Sequence, residues 1–153
     1  MSLFFEDFQV GVVEETGHYT VSKEEILDFA RRFDPQPFHV DEEAARRSQF
    51  GGLIASGWHT MALCHKILIT EFLGPDSGSL GSPGVDEIRW LKPVRPGDTL
   101  SVRTEVLAVV PAQSKPGGLV KFRYLVHNQN GETVMSVVGD GFFRPRDREA
   151  ADV

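Results

Sequence analysis

Cysteine is scarce in this sequence. Cys64 is the only cysteine among 153 residues, so no disulfide can form within the chain, and the composition fits a reducing compartment. Long apolar runs are also missing, because no window approaches the ~18 consecutive apolar residues of a membrane-spanning helix. The first residues lack the basic segment and long apolar stretch of a secretory signal peptide. We therefore expect a soluble, cytoplasmic protein that has no membrane partner.

Basic residues are outnumbered by acidic ones. The chain has 16 Lys and Arg against 22 Asp and Glu, a net charge of -6. Because nucleic-acid binding depends on a basic patch, this balance argues against a nucleic-acid partner. The length suits one domain, and neither a repeat nor a low-complexity linker interrupts it. We expect residues 1–153 to form a single domain that ends in a charged, frayed tail over about 146–153.

Helical patterns dominate the first half of the sequence. Ser22 is a good N-cap, and apolar residues recur at helical spacing after it. Two prolines then stop this helix and hold the following residues extended. The predicted helices are residues 22–33, residues 42–47 after the cap Asp41, and a long segment, residues 58–73. The last is apolar around most of its circumference, which is typical of a helix buried in the middle of a fold.

Runs of β-branched and aromatic residues, separated by turn signals, dominate the second half. The segment Asn128-Gln129-Asn130-Gly131 predicts a hairpin between two of these runs. The predicted strands are residues 17–21, 85–91, 99–110, 119–128 and 133–143. One buried helix and a set of long antiparallel strands predict an α+β fold. Their order permits a hotdog fold, in which a curved antiparallel sheet wraps around a long central helix.

Asp34 and His39 are the candidate catalytic residues, in the run Asp34-Pro35-Gln36-Pro37-Phe38-His39. A carboxylate and an imidazole on one rigid loop can hold a water between them. The carboxylate polarises the water, and the imidazole exchanges a proton near neutrality. In an extended segment the two side chains would point to opposite sides, so the loop has to bend. Residue types alone slightly favour the alternative that Asp34 only ends the helix and His39 only fills a turn.

Small residues before the apolar helix form a second candidate site. Gly51-Gly52 and Ser56-Gly57 lead into this helix. The free N–H groups at a helix start, aided by the helix dipole, can stabilise an oxyanion such as a thioester enolate. Glycine equally permits close packing of a helix against a sheet. We take Gly52, Ser56 and Gly57 as candidate oxyanion- or substrate-binding residues.

Other reactive side chains do not predict a metal centre. His59 and His65 lie six residues apart on the apolar helix and therefore on roughly opposite faces. His39-Val40-Asp41 has no third ligand at a recognisable spacing. Cys64 is interpreted as a small core residue. We predict no metal and no cofactor.

Three segments of the sequence resemble the MaoC-like dehydratase family, which includes the R-specific enoyl-CoA hydratases. They are Asp34-Pro35-Gln36-Pro37-Phe38-His39-Val40-Asp41, Phe50-Gly51-Gly52-Leu53-Ile54-Ala55-Ser56-Gly57 and the stretch from Trp90 to Leu100. The resemblance covers roughly residues 5–145. It departs at Gln36, where the family usually has asparagine, and at His65, where some members carry a serine.

The resemblance implies reversible hydration of a trans-2-enoyl thioester to the R-3-hydroxyacyl thioester. The substrate would be an acyl thioester of CoA or of acyl carrier protein, with no other cofactor. Asp34 and His39 match the family's catalytic pair, with Asp34 as general base on water and His39 as the partner that orients the water and relays the proton. The Gly57 N–H matches the position that holds the thioester oxygen. The resemblance also implies a homodimer of hotdog domains, side by side with a continuous sheet.

Two other functions stay open at this point. A hotdog acyl-thioester hydrolase would also need a carboxylate, a water and a helix start. An acyl-CoA-binding protein without catalytic activity would keep the fold alone.

Overall fold

The computed structural model describes residues 1–147. Within this range the helices lie mainly in the first half of the chain, where apolar residues recur at helical spacing. They are α1 (Lys23–Phe33), α2 (Pro37–Val40), α3 (Glu42–Arg47) and α4 (Gly57–Ile67). A single 3-10 turn, Phe5–Asp7, precedes them, and a π-helical segment, Leu68–Leu73, continues α4.

Helices α1 and α3 begin where the sequence predicts. The Ser22 hydroxyl accepts a hydrogen bond from the N–H of Glu25, as an N-cap side chain does. Asp41 accepts from the N–H groups of Glu43 and Ala44 at the start of α3. Each cap satisfies N–H groups that have no acceptor inside the helix, which fixes the residue at which the helix starts.

The strands form one antiparallel sheet over the described residues. They are β1 (Val13–Thr20), β2 (Ser79–Gly81), β3 (Val85–Trp90), β4 (Thr99–Pro111), β5 (Gly118–His127) and β6 (Thr133–Phe143). The strand order is β1-β4-β5-β6, and both β2 and β3 pair with the free side of β6. Strand β3 is therefore an outer edge, next to the residues that follow Trp90.

The core lies between α4 and the concave face of the sheet. Side chains along β4 alternate between buried and half-buried positions, because one face of a strand points inward. The α4 residues Leu63, Cys64 and Ile67 belong to the same buried cluster as Val102 and Phe122 of the sheet. A helix held inside a curved antiparallel sheet is the hotdog fold, so the predicted α+β hotdog architecture is confirmed.

Three features of the structure differ from the prediction. Strand β1 starts at Val13 and not at residue 17, because Val13 pairs with Glu105 of β4. The residues after Pro37 are not extended, since Pro37–Val40 form one helical turn, a position where the fixed backbone angle of proline suits a helix start. Strand β2 was not predicted.

The predicted tail is partly ordered. Arg146 donates its backbone N–H to the Glu6 carboxylate and pairs through its guanidinium with Asp7. These contacts tie residue 146 to the 3-10 turn. Residues 148–153 of the predicted tail lie outside the described residues. No helix within residues 1–147 is both long enough and apolar enough to cross a membrane.

Candidate active site

Asp34 sits at the point where α1 ends. Its backbone N–H donates to the carbonyl of Ala30 at 2.8 Å, which closes the last helical turn. Its side chain turns toward α4 and accepts two hydrogen bonds. The Gln36 amide donates to Oδ1 at 2.8 Å, and the Ser56 hydroxyl donates to Oδ2 at 2.7 Å. Both carboxylate oxygens are therefore held in place.

These contacts keep the Asp34 carboxylate ionised. Burial raises the pKa of Asp34, but the hydrogen bonds from Ser56 and Gln36, together with the positive charge that His39 carries when it is protonated, lower it by more. The net pKa of Asp34 lies below its usual value. Because a hydrogen bond to the charged form favours that form, Asp34 is an anion and a weak base at neutral pH.

His39 lies on α2, with 4% of its surface exposed. Its Nδ1 is 2.8 Å from the carbonyl oxygen of Ile54. Since a carbonyl oxygen can only accept, Nδ1 must carry the proton of this hydrogen bond. In the neutral imidazole, Nε2 then presents a lone pair. This Nε2 lies 3.4 Å from Oδ2 of Asp34.

Asp34 and His39 thus present two acceptors side by side. The helical turn α2 supplies the bend that brings the imidazole to the carboxylate across five residues. A water has two hydrogens and can donate one to each acceptor. The geometry suits a water held between a carboxylate and an imidazole, which is the arrangement that general acid–base chemistry on water requires.

The start of α4 lies beside this pair. Ser56 occupies the N-cap position and is fully buried, yet its side chain caps no helical N–H. Its hydroxyl is used by Asp34. The first helical hydrogen bond within α4 runs from Thr60 N–H to the Ser56 carbonyl, so the N–H groups of Gly57 and the two residues after it have no acceptor within the helix.

Gly57 is packed against a tryptophan. The Trp90 indole N–H donates to the Gly57 carbonyl at 2.8 Å. A Cβ atom at position 57 would overlap the Trp90 ring. The ring of Trp58 meets Trp90 edge-on, with centroids 5.1 Å apart. Glycine is required here because a backbone and an aromatic ring approach closely.

A cavity of about 440 Å³ opens over these groups. Its lining includes the side chains of Asp34 and His39 and the backbone of Gly57. Most of the remaining wall is aromatic or aliphatic, and includes Phe38, Phe50, Ile54, Trp58, Trp90, Leu91 and Val94. A mostly apolar pocket with a few convergent polar groups is typical of a small-molecule site.

Four of the five candidate residues come together in the structure. Asp34, His39, Ser56 and Gly57 meet where α1, α2 and α4 converge. Gly52 does not line the cavity, and the nearest atom to a Cβ at this position would be Nη1 of Arg95, at 3.4 Å. The sequence reasoning missed Gln36 and Trp90 as site residues. Trp90 carries no local signal, since it contacts Gly57 across 33 positions of sequence.

The other singled-out residues lie away from the cavity. Cys64 is fully buried in the core, as predicted. His59 is buried against α1, and His65 is exposed. Within residues 1–147 no group of three or more His, Cys, Asp or Glu side chains is placed to hold a metal ion.

Comparison with known proteins gives a consistent result. The family model for the MaoC-like domain matches residues 8–130. The crystal structure of a MaoC-like dehydratase from Rhodospirillum rubrum is 42% identical, with a TM-score of 0.86 over 96% of this chain and all of that one.

Two relatives in sequence are also similar. The uncharacterized protein YdeM of Bacillus subtilis is 40% identical over 113 residues, which is 73% of this chain and 79% of YdeM. The 3-hydroxybutyryl-CoA dehydratase of Methylorubrum extorquens is 32% identical over 114 residues, which is 74% of this chain and 69% of that protein.

Proposed function

Because this chain belongs to the MaoC-like domain family, we propose that it is a hydro-lyase acting on 2-enoyl and R-3-hydroxyacyl thioesters. The observation that carries the proposal is the pair of acceptors, Asp34 Oδ2 and His39 Nε2, 3.4 Å apart beside the start of α4. Hydration needs an activated water next to a group that stabilises an enolate. The cavity offers both within one small volume.

The thioester carbonyl is proposed to accept a hydrogen bond from the Gly57 N–H. This N–H has no acceptor within α4 and lies at the positive end of the helix dipole. As water adds to C3, negative charge moves to the carbonyl oxygen, so this hydrogen bond strengthens in the transition state. The aromatic wall formed by Trp58 and Trp90 flanks this position.

The proton is proposed to pass through His39. The family resemblance implies Asp34 as the general base, but its lowered pKa makes Asp34 a weak proton acceptor. Nε2 of His39 accepts one proton of the water while the water oxygen bonds to C3, and Asp34 holds the other hydrogen. The resulting imidazolium returns the proton to C2, which collapses the enolate. One water supplies both the hydroxyl group at C3 and the hydrogen at C2, and dehydration is the reverse.

A four-carbon CoA ester is the natural first substrate to test. The similar protein from Methylorubrum extorquens is named a 3-hydroxybutyryl-CoA dehydratase, and crotonyl-CoA is the corresponding enoyl thioester. Incubation with crotonyl-CoA should lower the enoyl absorbance without releasing free thiol. Thiol release would instead indicate an acyl-thioester hydrolase, and saturable binding without turnover would indicate an acyl-CoA-binding protein.

We also propose that two copies of the chain pair along β3. This strand is an edge, and apolar side chains on and beside it are exposed, Leu91 by 55% and Val85 by 48%. An exposed apolar strand edge is a template for pairing with another chain. Light scattering at micromolar concentration should give twice the chain mass, and a stable monomer would contradict the pairing.

A further inference from the structure

A second histidine and carboxylate lie behind the candidate active site. Nε2 of His59 is 3.4 Å from Oε1 of Glu25. The His59 ring also stacks on Phe29, with centroids 4.7 Å apart and planes 8° from parallel. His59 stands in the first turn of α4, while Glu25 and Phe29 belong to α1. These contacts therefore join the helix that ends at Asp34 to the helix that starts at Gly57.

The Glu25 carboxylate is fixed on both oxygens. Its Oε2 accepts from the Tyr19 hydroxyl at 3.1 Å and from the Ser22 hydroxyl at 3.2 Å. Burial, followed by the charge and hydrogen bonding of Glu25, raises the pKa of Tyr19, so this phenol stays a donor. Strand β1, the cap of α1 and the first turn of α4 thus meet on one carboxylate.

His59 is buried in its neutral form. It is 5% exposed, and its Nδ1 is buried without a hydrogen-bond partner. A second proton on Nδ1 would create a buried, unpaired donor, which is costly. Burial lowers the pKa of His59 against the opposing effect of Glu25. The single ring proton is then on Nε2, the ring nitrogen 3.4 Å from Oε1 of Glu25.

Two ties hold α1 against α4, one near each end of α1. The first joins Asp34 to Ser56. The second joins Glu25 to His59. Glu25 precedes Asp34 by nine residues, which is about 14 Å along a helix. Ile26 and Ala30 of α1 are also fully buried. Together with this packing, the two ties set the rotation of α1 and its distance from the first turn of α4, and so the place of the Asp34 carboxylate relative to the Gly57 N–H.

We propose that Glu25 and His59 are positioning residues, which hold α1 against α4 so that Asp34 and the Gly57 N–H keep the geometry needed for hydration. The proposal rests on the hydration reaction proposed above. Neither residue lines the cavity, so they act only through Asp34 and Gly57.

The test compares two changes at one position. In His59→Phe the ring can still stack on Phe29, but the donor to Glu25 is lost. In His59→Gln the side-chain amide nitrogen lies about where Nε2 was and keeps the donor. With crotonyl-CoA, we expect His59→Phe to lower kcat by about 10- to 100-fold with KM changed less than about threefold, since misplacement of reacting groups by about 1 Å costs this much. His59→Gln should recover most of kcat.

Val120→Ala controls for lost stability. Val120 is fully buried and pairs with Gly141 of β6, whereas Trp90 pairs with Met135 of the same strand. Six residues along a strand put Val120 about 20 Å from the site. It should lower the thermal midpoint without lowering kcat. A kcat equal to that of the wild type in His59→Phe would overturn the proposal. So would a loss of kcat in Val120→Ala as large as that in His59→Phe, if the two variants have the same thermal midpoint. If His59→Phe does not fold, Glu25→Gln replaces it, with an expected loss of about three- to tenfold.

A second readout needs no turnover. The 13C carboxyl titration of Asp34 reports its hydrogen bond from Ser56, and His59→Phe should move the pKa of Asp34 upward, toward an ordinary aspartate. His59→Gln and Val120→Ala should leave it unchanged. An unchanged Asp34 titration in His59→Phe would overturn the positioning role, whereas lack of hydration by the wild type would overturn only the proposed function.

Discussion

The Ser56 hydroxyl donates a hydrogen bond of 2.7 Å to Oδ2 of Asp34, across 22 positions of sequence. Ser56 occupies the N-cap of α4, where a serine normally binds a helical N–H. Here the hydroxyl serves the carboxylate instead. The bond therefore orients Asp34, lowers its pKa and leaves the first N–H groups of α4 without a side-chain cap.

Ser56→Ala should raise the pKa of Asp34, because the hydrogen bond that favours the carboxylate is lost while burial remains. In the wild type, the Asp34 carboxylate stabilises the fold at pH values above the pKa of an unfolded aspartate. This contribution disappears as pH falls through the lower pKa of Asp34 in the folded protein. The free-energy difference between wild type and Ser56→Ala should therefore shrink in acid. The carboxyl 13C titration and denaturant unfolding at several pH values measure both effects, and an unchanged titration would contradict the assignment.

Gly57→Ala should destabilise the fold and abolish hydration. The added methyl group would overlap the Trp90 ring, and overpacking typically costs about 1–3 kcal/mol. Combining it with Trp90→Leu removes the obstacle and should restore much of the lost stability. Urea unfolding of the two single variants and the double variant measures the coupling. Strictly additive losses would mean that the two residues do not contact each other.

Cys64 should resist thiol reagents in the folded protein. It is fully buried, and burial raises the pKa of its thiol to about 12. At pH 8, a chromogenic disulfide should label one thiol per chain in guanidinium and almost none in buffer. Rapid labelling of the native protein would contradict this burial.

The raised pKa of the Cys64 thiol also makes the stability of the fold depend on pH in the alkaline range. The unfolded thiol ionises near 9.0, while the folded thiol stays protonated to about 12, so the free energy of unfolding should fall as pH rises between these values. Cys64→Ala removes this contribution. Its stability should therefore decline less steeply with pH than that of the wild type.

Local signals in the sequence predict much of the fold. The Ser22 and Asp41 caps locate the starts of α1 and α3, and the Asn-Gly turn locates the β5–β6 hairpin. The start of β1 is missed because Glu14 and Glu15, a residue type depleted in strands, interrupt the β-branched pattern between Val13 and Thr16. Pairing with β4 makes it a strand, and pairing across 90 residues is not visible in a local pattern.

The candidate site is likewise predicted only in part by local signals in the sequence. Asp34 and His39 are close in sequence, so their types and the prolines between them make a recognisable pattern. The contacts that make the pair useful are long-range. His39 takes its tautomer from the Ile54 carbonyl, and Trp90 reaches Gly57 from the end of the edge strand β3. Such contacts depend on the tertiary fold and leave no mark at either residue.

Steady-state hydration of crotonyl-CoA by Asp34→Asn and His39→Gln tests whether Asp34 and His39 activate the water. Asp34→Asn removes the negative charge and His39→Gln removes the basic ring nitrogen, while both keep roughly the size of the side chain, so kcat/KM should fall at least about 100-fold. Asp28→Asn and His127→Gln, the same chemical changes outside the cavity, should keep wild-type rates. Near-wild-type hydration by either Asp34→Asn or His39→Gln would contradict water activation by this pair.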